Sequence, residues 1–392
     1  RLESVFSQTD YNNSKNMPRD ILISLIEHFS DNQYSFTDKE ISREQVGDLY
    51  EYYLKEITNA APPKKAEKSY TPREVIKVMV GILSPDEGMK VYDPCCGSGG
   101  MLIGSQNYLQ SKGKNSKNLF LYGQDNSPNN WTIAILNDLF HDMDADIQFG
   151  NSLGTPKQIE DESMMKFDIT LSNPVWNQKD LKKYQETDSL NRFGYGFTPK
   201  SKGDWCWIQH MLASLKETGR MGIVLDQGAL FRGGAEKKIR KAILVDDLVE
   251  CVIALPEKLF SKTGAAGCLI LFNKVKLEER KKKVLFIYAS EKFEKHSNMN
   301  LLRLEDIELL IDTFNDFADI EKFSIVADLS RIDEEDYNLS VTRYVDIFDP
   351  PEPIDLQEVI TDLEHLGEQR KETEEKLRTY LKEMGYIFKK SD

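Results

Sequence analysis

The sequence predicts an α/β fold, in which a parallel-type sheet carries helices on both faces. Between about residues 70 and 275, short strand-like runs rich in β-branched and aromatic residues alternate with helical patterns. Acidic or amide residues end four successive strands, at Asp93, Asp125, Asn151 and Asn173, with gaps of 32, 26 and 22 residues. Each gap holds one strand–helix unit. The four side chains are therefore expected at the carboxyl edge of one sheet, where open α/β folds bind ligands.

Composition limits the kind of protein this is. A chain of 392 residues with 40% hydrophobic content supports more than one domain and a substantial core. It has no apolar run of membrane-spanning length, and its five scattered cysteines fit a reducing cytoplasm. The polar start at Arg1 indicates that an upstream segment is missing. The net charge of −14 argues against a broad nucleic-acid surface, so a DNA substrate would need a local basic channel or a basic partner.

The chain divides into four parts by pattern. Two amphipathic stretches predict a helical N-terminal domain over residues 1–59, and the paired prolines and charges of residues 60–69 suit a linker. The α/β domain is predicted over residues 70–349. Residues 350–392 form a charged helical extension with a partial heptad of apolar residues, which either folds back on its own domain or pairs with a partner helix.

The turn VYDPCCGSGG, residues 91–100, is the best candidate for a cofactor site. Its glycines stand at 97, 99 and 100, which is not the G-x-G-x-x-G spacing of a dinucleotide site, and the sequence has no P-loop. Asp125, at the end of the second strand, is placed to accept hydrogen bonds from two ribose hydroxyls. The flexible glycine turn after Asp93 admits an amino-acid tail. S-adenosylmethionine combines that ribose with that tail.

The segment FDITLSNPVWN supplies the candidate chemistry. Asn173 and Pro174 present a side-chain carbonyl and a main-chain carbonyl, and Trp176 adds a flat ring. An aromatic exocyclic amine is a poor nucleophile until hydrogen bonds from its two N–H groups favour a pyramidal nitrogen. The two carbonyls could accept those bonds while Trp176 stacks on the base, at about 1 to 3 kcal/mol. A base within a duplex must first flip out.

Together these segments resemble the methyltransferase (modification) subunit of type I restriction–modification systems, among the adenine-N6 DNA methyltransferases. In chain order, the similar segments are SYTPREVIKVMVGIL, DPCCGSGGML, LYGQD, SNPVWN, GDWCWIQHML, GRMGIVLDQGALFRGG, LPEKLFSKTGAAGCLILFNK and YNLSVTRYVD. The resemblance implies a Rossmann-like methyltransferase sheet, with residues 70–349 as the methyltransferase domain. It also implies these cofactor-binding residues: Tyr70, Thr71, Asp93, Gly97, Ser98, Gly99, Asp125 and Asn151.

The family resemblance further implies partners. A separate specificity subunit would read the DNA sequence, and the complex would include DNA, often a restriction subunit, and a second copy of this chain. The catalytic positions are Asn173, Pro174 and Trp176, with Val175 where the family usually has Pro. Asn151 stands where an acidic residue often contacts the cofactor adenine.

Several residues have a structural interpretation as well. Thr71 to Glu74 also form a capping box, and Trp176 could be a core aromatic residue. Cys95 and Cys96 are adjacent, which is poor spacing for one metal ion, so they are expected to pack and no metal site is predicted. His210 is expected to be a buried polar residue. The polar segment 179–204 either contacts DNA or is a mobile loop.

Two alternatives to a DNA adenine methyltransferase remain open at this point. One is a methyltransferase for another planar nitrogen, in an RNA base or a glutamine side chain. The other is a scaffold that binds the cofactor without turnover.

Overall fold

The computed structural model describes residues 18–31, 49, 52, 71–260, 264–296, 299–348 and 356–386. Most of the predicted N-terminal domain and the whole linker at 60–69 lie outside the described residues. The chain divides into two compact units, Arg1–Ile347 and Phe348–Asp392. In the part of the chain that the structure describes, no helix is long and apolar enough to cross a membrane.

The helices alternate with strands along the first unit, as the sequence predicts. They are α1 (Arg19–Phe29), α2 (Arg73–Leu83), α3 (Gly100–Ser111), α4 (Pro128–Phe140), α5 (Lys182–Glu186), α6 (Asp204–Ala213), α7 (Gly234–Val245), α8 (Leu304–Asp316) and α9 (Leu329–Glu334), followed in the second unit by α10 (Leu356–Glu383).

The strands fall into one large sheet and two short hairpins. They are β1 (Lys90–Asp93), β2 (Phe120–Asp125), β3 (Asp146–Phe149), β4 (Ile159–Glu160), β5 (Ser163–Met164), β6 (Phe167–Ser172), β7 (Leu215–Asp226), β8 (Val249–Ala254), β9 (Gly267–Asn273), β10 (Lys283–Tyr288), β11 (Glu294–Lys295), β12 (Asn300–Leu301) and β13 (Ser324–Asp328).

The large sheet has nine strands in the order β13-β10-β8-β9-β7-β6-β1-β2-β3. The four strands β6, β1, β2 and β3 are parallel neighbours, and β7 runs parallel to β6. Two strands depart from the predicted parallel arrangement. Strand β9 inserts antiparallel between β7 and β8, and β13 pairs antiparallel with β10 at the edge. The α/β class is confirmed, and the sheet is mixed.

Both faces of the sheet are covered by apolar side chains. Val224 of β7 belongs to the cluster that includes helices α2, α3 and α8, whereas its neighbours Ile223 and Leu225 belong to the cluster that includes α6 and α7. Successive residues of a strand point to opposite faces, so one continuous apolar run fills both cores. The central strands are thereby held rigidly, and their carboxyl ends form a fixed edge.

The second unit consists of the single helix α10 within the described residues. Apolar side chains recur along it and are exposed: Leu356, Val359, Leu363, Leu366, Leu377 and Met384. Its long run of Glu, Lys and Arg keeps the remaining surface hydrophilic. The helical extension is confirmed, while its choice of partner stays a prediction.

Candidate active site

The glycine turn joins β1 to α3 and lies against β2. Gly97 and Gly99 have φ values of 56° and 85°, in the left-handed region that a side chain disfavours. The N–H of Gly97 donates to Oδ2 of Asp125 at 3.0 Å, and the N–H of Cys96 donates to the Gln124 carbonyl at 3.1 Å. Backbone conformation and these two bonds hold the turn at the carboxyl edge of the sheet.

Asp93 ends β1 and is only 1% exposed. Its Oδ1 accepts hydrogen bonds from the hydroxyl of Ser172 at 2.7 Å and from the N–H of Cys95 at 3.0 Å. Burial raises the pKa of Asp93 to about 7, and the nearby charge of Asp125 adds to the rise. The two hydrogen bonds lower the pKa but do not cancel the effect of burial. A cationic group placed at this edge would favour the ionised carboxylate, as a sulfonium or an ammonium would.

Asp125 ends β2 and is buried beside the glycine turn. Its Oδ1 accepts a hydrogen bond from the N–H of Ser127 at 2.8 Å, and its Oδ2 accepts the one from Gly97. Carboxylate oxygens accept more than one hydrogen bond each. In the same turn, the carbonyl of Ser98 accepts a hydrogen bond from Nδ2 of Asn137 at 2.8 Å. The ribose-binding role of Asp125 stays a prediction, and its position at the edge agrees with it.

Asn151 follows β3 by two residues and shapes the loop after it. Its Oδ1 accepts hydrogen bonds from the N–H groups of Leu153 and Gly154, both at 3.0 Å. Its Nδ2 donates to the hydroxyl of Tyr184 at 3.2 Å. The amide therefore has a fixed orientation, with its oxygen turned to its own loop.

Asn173 follows β6 directly and contacts two other predicted site residues. Its Nδ2 donates to Oγ1 of Thr71 at 2.9 Å, and its Oδ1 accepts a hydrogen bond from Nε1 of Trp176 at 2.9 Å. Helix α2 starts after Pro72, and no side chain caps it. The capping-box interpretation of Thr71 is therefore wrong, because its hydroxyl binds Asn173, 102 residues away in sequence.

The ring of Trp176 is half-buried and packs edge-on against Phe260, with ring centres 4.8 Å apart and an interplanar angle of 71°. Phe260 is 2% exposed and gives the indole a firm support. Pro174 is buried, whereas Val175 is 69% exposed at the tip of the turn. Stacking of Trp176 on a base stays a prediction, and Phe260 is a further aromatic residue of the site that the sequence did not single out.

A charged cluster supports the catalytic turn from behind. The N–H of Asn177 donates to Oδ1 of Asp204 at 2.8 Å, and its Oδ1 accepts hydrogen bonds from Arg232 at 3.0 Å and Lys202 at 2.8 Å. Arg232 also pairs with Asp204 and with Glu236. Burial raises the pKa of Asp204, although the hydrogen bond from Asn177 and the charge of Arg232 both lower it. No local pattern marks this cluster, because its members come from three separate segments.

Residues with a predicted structural role lie as expected. His210 is fully buried, and burial together with the charge of Arg192 holds its pKa well below the usual value. Burial raises the pKa of both Cys95 and Cys96 well above that of a free thiol, so both are poor metal ligands. Among the described residues, no group of three or more His, Cys, Asp or Glu could hold a metal ion.

The structure thus brings the predicted residues to one edge. Four adjacent parallel strands, β6, β1, β2 and β3, end at or just before predicted site residues. Thr71 is joined to this group by its hydrogen bond with Asn173. Tyr70 lies outside the described residues. Segment 179–204 is packed against the domain, with Phe193 6% exposed and Phe197 44% exposed. Its contact with DNA stays a prediction.

Comparison with known proteins points to one family. The family described as N-6 DNA Methylase matches residues 41–352. The chain is 38% identical over 395 residues to the type I restriction enzyme MjaVII methylase subunit of Methanocaldococcus jannaschii, covering 97% of this chain and 66% of the relative. It is 31% identical to the HindI methylase subunit of Haemophilus influenzae, covering 83% of this chain and 75% of the relative.

A solved structure agrees with these matches. The type I restriction-modification system methyltransferase subunit from Streptococcus thermophilus aligns with a TM-score of 0.76 at 27% identity, covering 87% of this chain and 72% of that one. The chain spans 66% and 65% of the length of two of the curated relatives from M. jannaschii.

Proposed function

Because the chain belongs to the N-6 DNA methylase family, we propose that it is the methyltransferase subunit of a type I restriction–modification complex. Its reaction is the transfer of a methyl group from S-adenosylmethionine to N6 of an adenine flipped out of DNA. One observation carries this proposal. Asn173, with a carbonyl suited to an exocyclic amine, follows the strand next to the one that ends at Asp93.

The residues at the sheet edge fit the family's cofactor. Asp93 and the turn Gly97–Gly99 would hold the methionine end, where a buried carboxyl suits the ammonium group of an amino acid and the glycines leave room for its chain. Asp125 would accept hydrogen bonds from the ribose, and the loop that starts at Asn151 would lie against the adenine. Thr71, which lies two residues before helix α2, would close the site, and Tyr70, its neighbour in sequence, is also proposed to bind the cofactor. When bound, S-adenosylmethionine supplies a methyl group on a sulfonium centre, which leaves as a neutral thioether.

The catalytic turn prepares the accepting nitrogen. Oδ1 of Asn173 and the Pro174 carbonyl accept hydrogen bonds from the two N–H groups of the amine, and the nitrogen lone pair becomes available for methylation. One N–H proton passes to solvent as the new N–C bond forms. Trp176 stacks on the flipped base, which excludes water from one face of the purine.

The division of work among subunits follows from charge and from helix α10. A chain with net charge −14 needs a local basic channel or a basic partner to hold DNA, and we propose that a specificity subunit is that partner and supplies the base contacts. The exposed apolar residues of α10 are proposed to dock on that partner, with a second copy of the chain and a restriction subunit completing the complex. The methyltransferase domain is proposed to span residues 70–349, after a helical domain and a linker. The cytoplasm is the proposed location.

The test is methyl transfer by the full chain, alone and together with the specificity subunit encoded beside it. Methyl-labelled S-adenosylmethionine is supplied with adenine-containing DNA, with RNA, and with a glutamine-containing protein. We expect label on N6 of adenine in DNA when both subunits are present. Label in RNA or glutamine instead would replace the proposed substrate, and cofactor binding without any transfer would indicate a scaffold.

A variant pair tests the role of Asn173. Asn173→Ala is expected to abolish DNA labelling and to leave the affinity for S-adenosylhomocysteine unchanged. Asn118→Ala is the matched control, because it removes an exposed amide just before β2, at the opposite edge of the sheet. Retained transfer by Asn173→Ala would refute the catalytic assignment.

A further inference from the structure

The segment that follows the catalytic turn returns to the loop after β3. Within it, Arg192 and its partner Asp188 are almost fully buried, with side chains 2% and 4% exposed. A guanidinium is costly to bury unless each of its N–H groups has a partner. Its contacts therefore indicate what this segment holds in place.

Every nitrogen of the Arg192 guanidinium has a partner. Nε donates to Oδ1 of Asp188 at 2.8 Å, and Nη2 lies 2.7 Å from the same oxygen in an ion pair. Nη1 donates to the Ser152 carbonyl at 2.9 Å, and Nη2 donates to the Leu153 carbonyl at 2.7 Å. The remaining donor of Nη1 meets Nδ1 of His210 at 3.0 Å. Because arginine only donates, Nδ1 must be the unprotonated acceptor of a neutral imidazole.

The two carbonyls that Arg192 holds come directly after Asn151. The backbone N–H of Leu153 is in turn bonded to Oδ1 of Asn151. The hydroxyl of Ser152 donates to the Pro94 carbonyl at 2.5 Å, which ties the same loop to the start of the glycine turn. Tyr184, from the same returning segment, accepts the hydrogen bond of the Asn151 amide. The returning segment thus forms hydrogen bonds with three consecutive residues of the loop, Asn151, Ser152 and Leu153.

We propose that Arg192, assisted by Tyr184, is a positioning residue that sets the affinity for S-adenosylmethionine by fixing the loop at Asn151–Leu153. The inference rests on the proposed function, since it takes that loop as the adenine side of the cofactor site. Arg192 does not touch the cofactor itself. It also means that the segment between the catalytic turn and α6 has a role at the cofactor site, apart from its predicted contact with DNA.

The geometry requires arginine. A planar fork can reach two neighbouring carbonyls and a carboxylate at once, whereas the ammonium of lysine has three donors around one point. Arg192→Lys keeps the charge opposite Asp188 and loses the simultaneous hold on Ser152 and Leu153. We expect the dissociation constant for S-adenosylhomocysteine to rise about tenfold, the effect of losing one hydrogen bond from a charged group.

Arg280→Lys is the matched control. Arg280 is also buried, donates to the carbonyl of Asn315 at 2.6 Å and faces Glu250 at the amino end of β8, away from the cofactor edge. Both variants lose a fork within a buried network. Only Arg192→Lys is expected to weaken binding, measured by calorimetry on the full chain, with circular dichroism and thermal melting to establish folding.

The outcomes separate the two proposals. If the wild type does not bind S-adenosylhomocysteine, the proposed function fails and the inference falls with it. If the wild type binds and folded Arg192→Lys binds equally well, or Arg280→Lys weakens binding as much, the inference alone is overturned. If Arg192→Lys does not fold, Tyr184→Phe decides. It removes only the hydroxyl at Asn151 and is expected to raise the dissociation constant about threefold; no rise would overturn the inference.

A kinetic measurement distinguishes positioning from general damage. In the assembled complex, Arg192→Lys is expected to raise KM for S-adenosylmethionine about tenfold with kcat within about twofold of the wild type. A fall in kcat with unchanged KM would contradict a positioning role at the cofactor loop.

Discussion

Replacing Asp93 by Asn is expected to remove a large pH dependence from the stability of the protein. The carboxyl is fully enclosed at the end of β1, and burial raises its pKa from 3.8 to about 7. Asn has nearly the same shape, stays neutral at every pH, and its carbonyl can accept the hydrogen bonds from Ser172 and Cys95. The variant therefore isolates the effect of ionising Asp93.

The sign follows from proton binding. Between pH 3.8 and 7 the folded chain keeps the proton on Asp93 and the unfolded chain has lost it, so the free energy of unfolding falls as pH rises. Each pH unit in this window is worth up to about 1.4 kcal/mol for one group, which gives about 4 kcal/mol over the whole window. Between pH 5 and pH 8 the loss is about 2 to 3 kcal/mol, and the curve levels off above pH 7.

The measurement is urea unfolding of both proteins at pH 5, 6, 7 and 8 without cofactor, followed by circular dichroism. We expect the stability of the wild type relative to Asp93→Asn to fall by about 2 to 3 kcal/mol across this range. Asp306→Asn is the control. The hydrogen bond and charge of Arg303 hold the pKa of Asp306 below its usual value, so its titration lies below this pH range and its difference curve should be flat.

Parallel stability curves for the wild type and Asp93→Asn would refute this account. They would mean that Asp93 is ionised throughout this range, with its hydrogen bonds to Ser172 and Cys95 outweighing the cost of burial.

Three further predictions follow. The affinity for S-adenosylmethionine should rise from pH 6 to pH 8, because a cationic ligand favours ionised Asp93; calorimetry should show no such slope for Asp93→Asn. Gly99→Ala should lower the free energy of unfolding in urea by about 1 to 2 kcal/mol, because alanine is strained at a φ of 85°, and it should also weaken cofactor binding. Gly113→Ala, at a φ of 71° in an exposed turn, is the control and should lower only the free energy of unfolding. Arg232→Lys should lower kcat about tenfold, because Arg232 supports Asn177 behind the catalytic turn. The affinity for S-adenosylhomocysteine should stay within about twofold of the wild type. Equal losses in kcat and in this affinity would contradict that role.

Much of the fold could be predicted from local pattern. Alternation of strand and helix signals placed Asp93 and Asn173 at strand ends, and the structure confirms that these strands are parallel neighbours. The antiparallel insertion of β9 had no such signal. Its sequence GCLILFN is apolar on both faces, so the pattern is the same whichever way the strand runs. Strand direction there depends on the connection after β8.

The site divides in the same way. Asp125 was predicted because a carboxylate at a strand end can accept hydrogen bonds from two ribose hydroxyls, whereas Arg192 was missed. Arg192 contacts two backbone carbonyl oxygens and one imidazole, and any residue type can supply a backbone carbonyl. The bond between Thr71 and Asn173 was missed for a related reason, since helix-start residues have a sufficient local explanation. Side chains that bind the backbone of distant segments produce no sequence motif, so their roles cannot be predicted from residue spacing.

The hydrogen bond from Trp176 to Asn173 has a consequence for substrate choice. The carbonyl proposed to receive the adenine amine already accepts a hydrogen bond from the indole, and an amide oxygen can accept two, so the amine would take the second position while the indole stays bonded. The amide that holds the amine thereby also holds the ring that faces the base. A water molecule or a small amine could fill the second position, but neither offers a flat surface to Trp176, whereas adenine offers both an amine and a flat surface. Selectivity against small nucleophiles would then come from this pairing of one acceptor with one ring, before any DNA sequence is read.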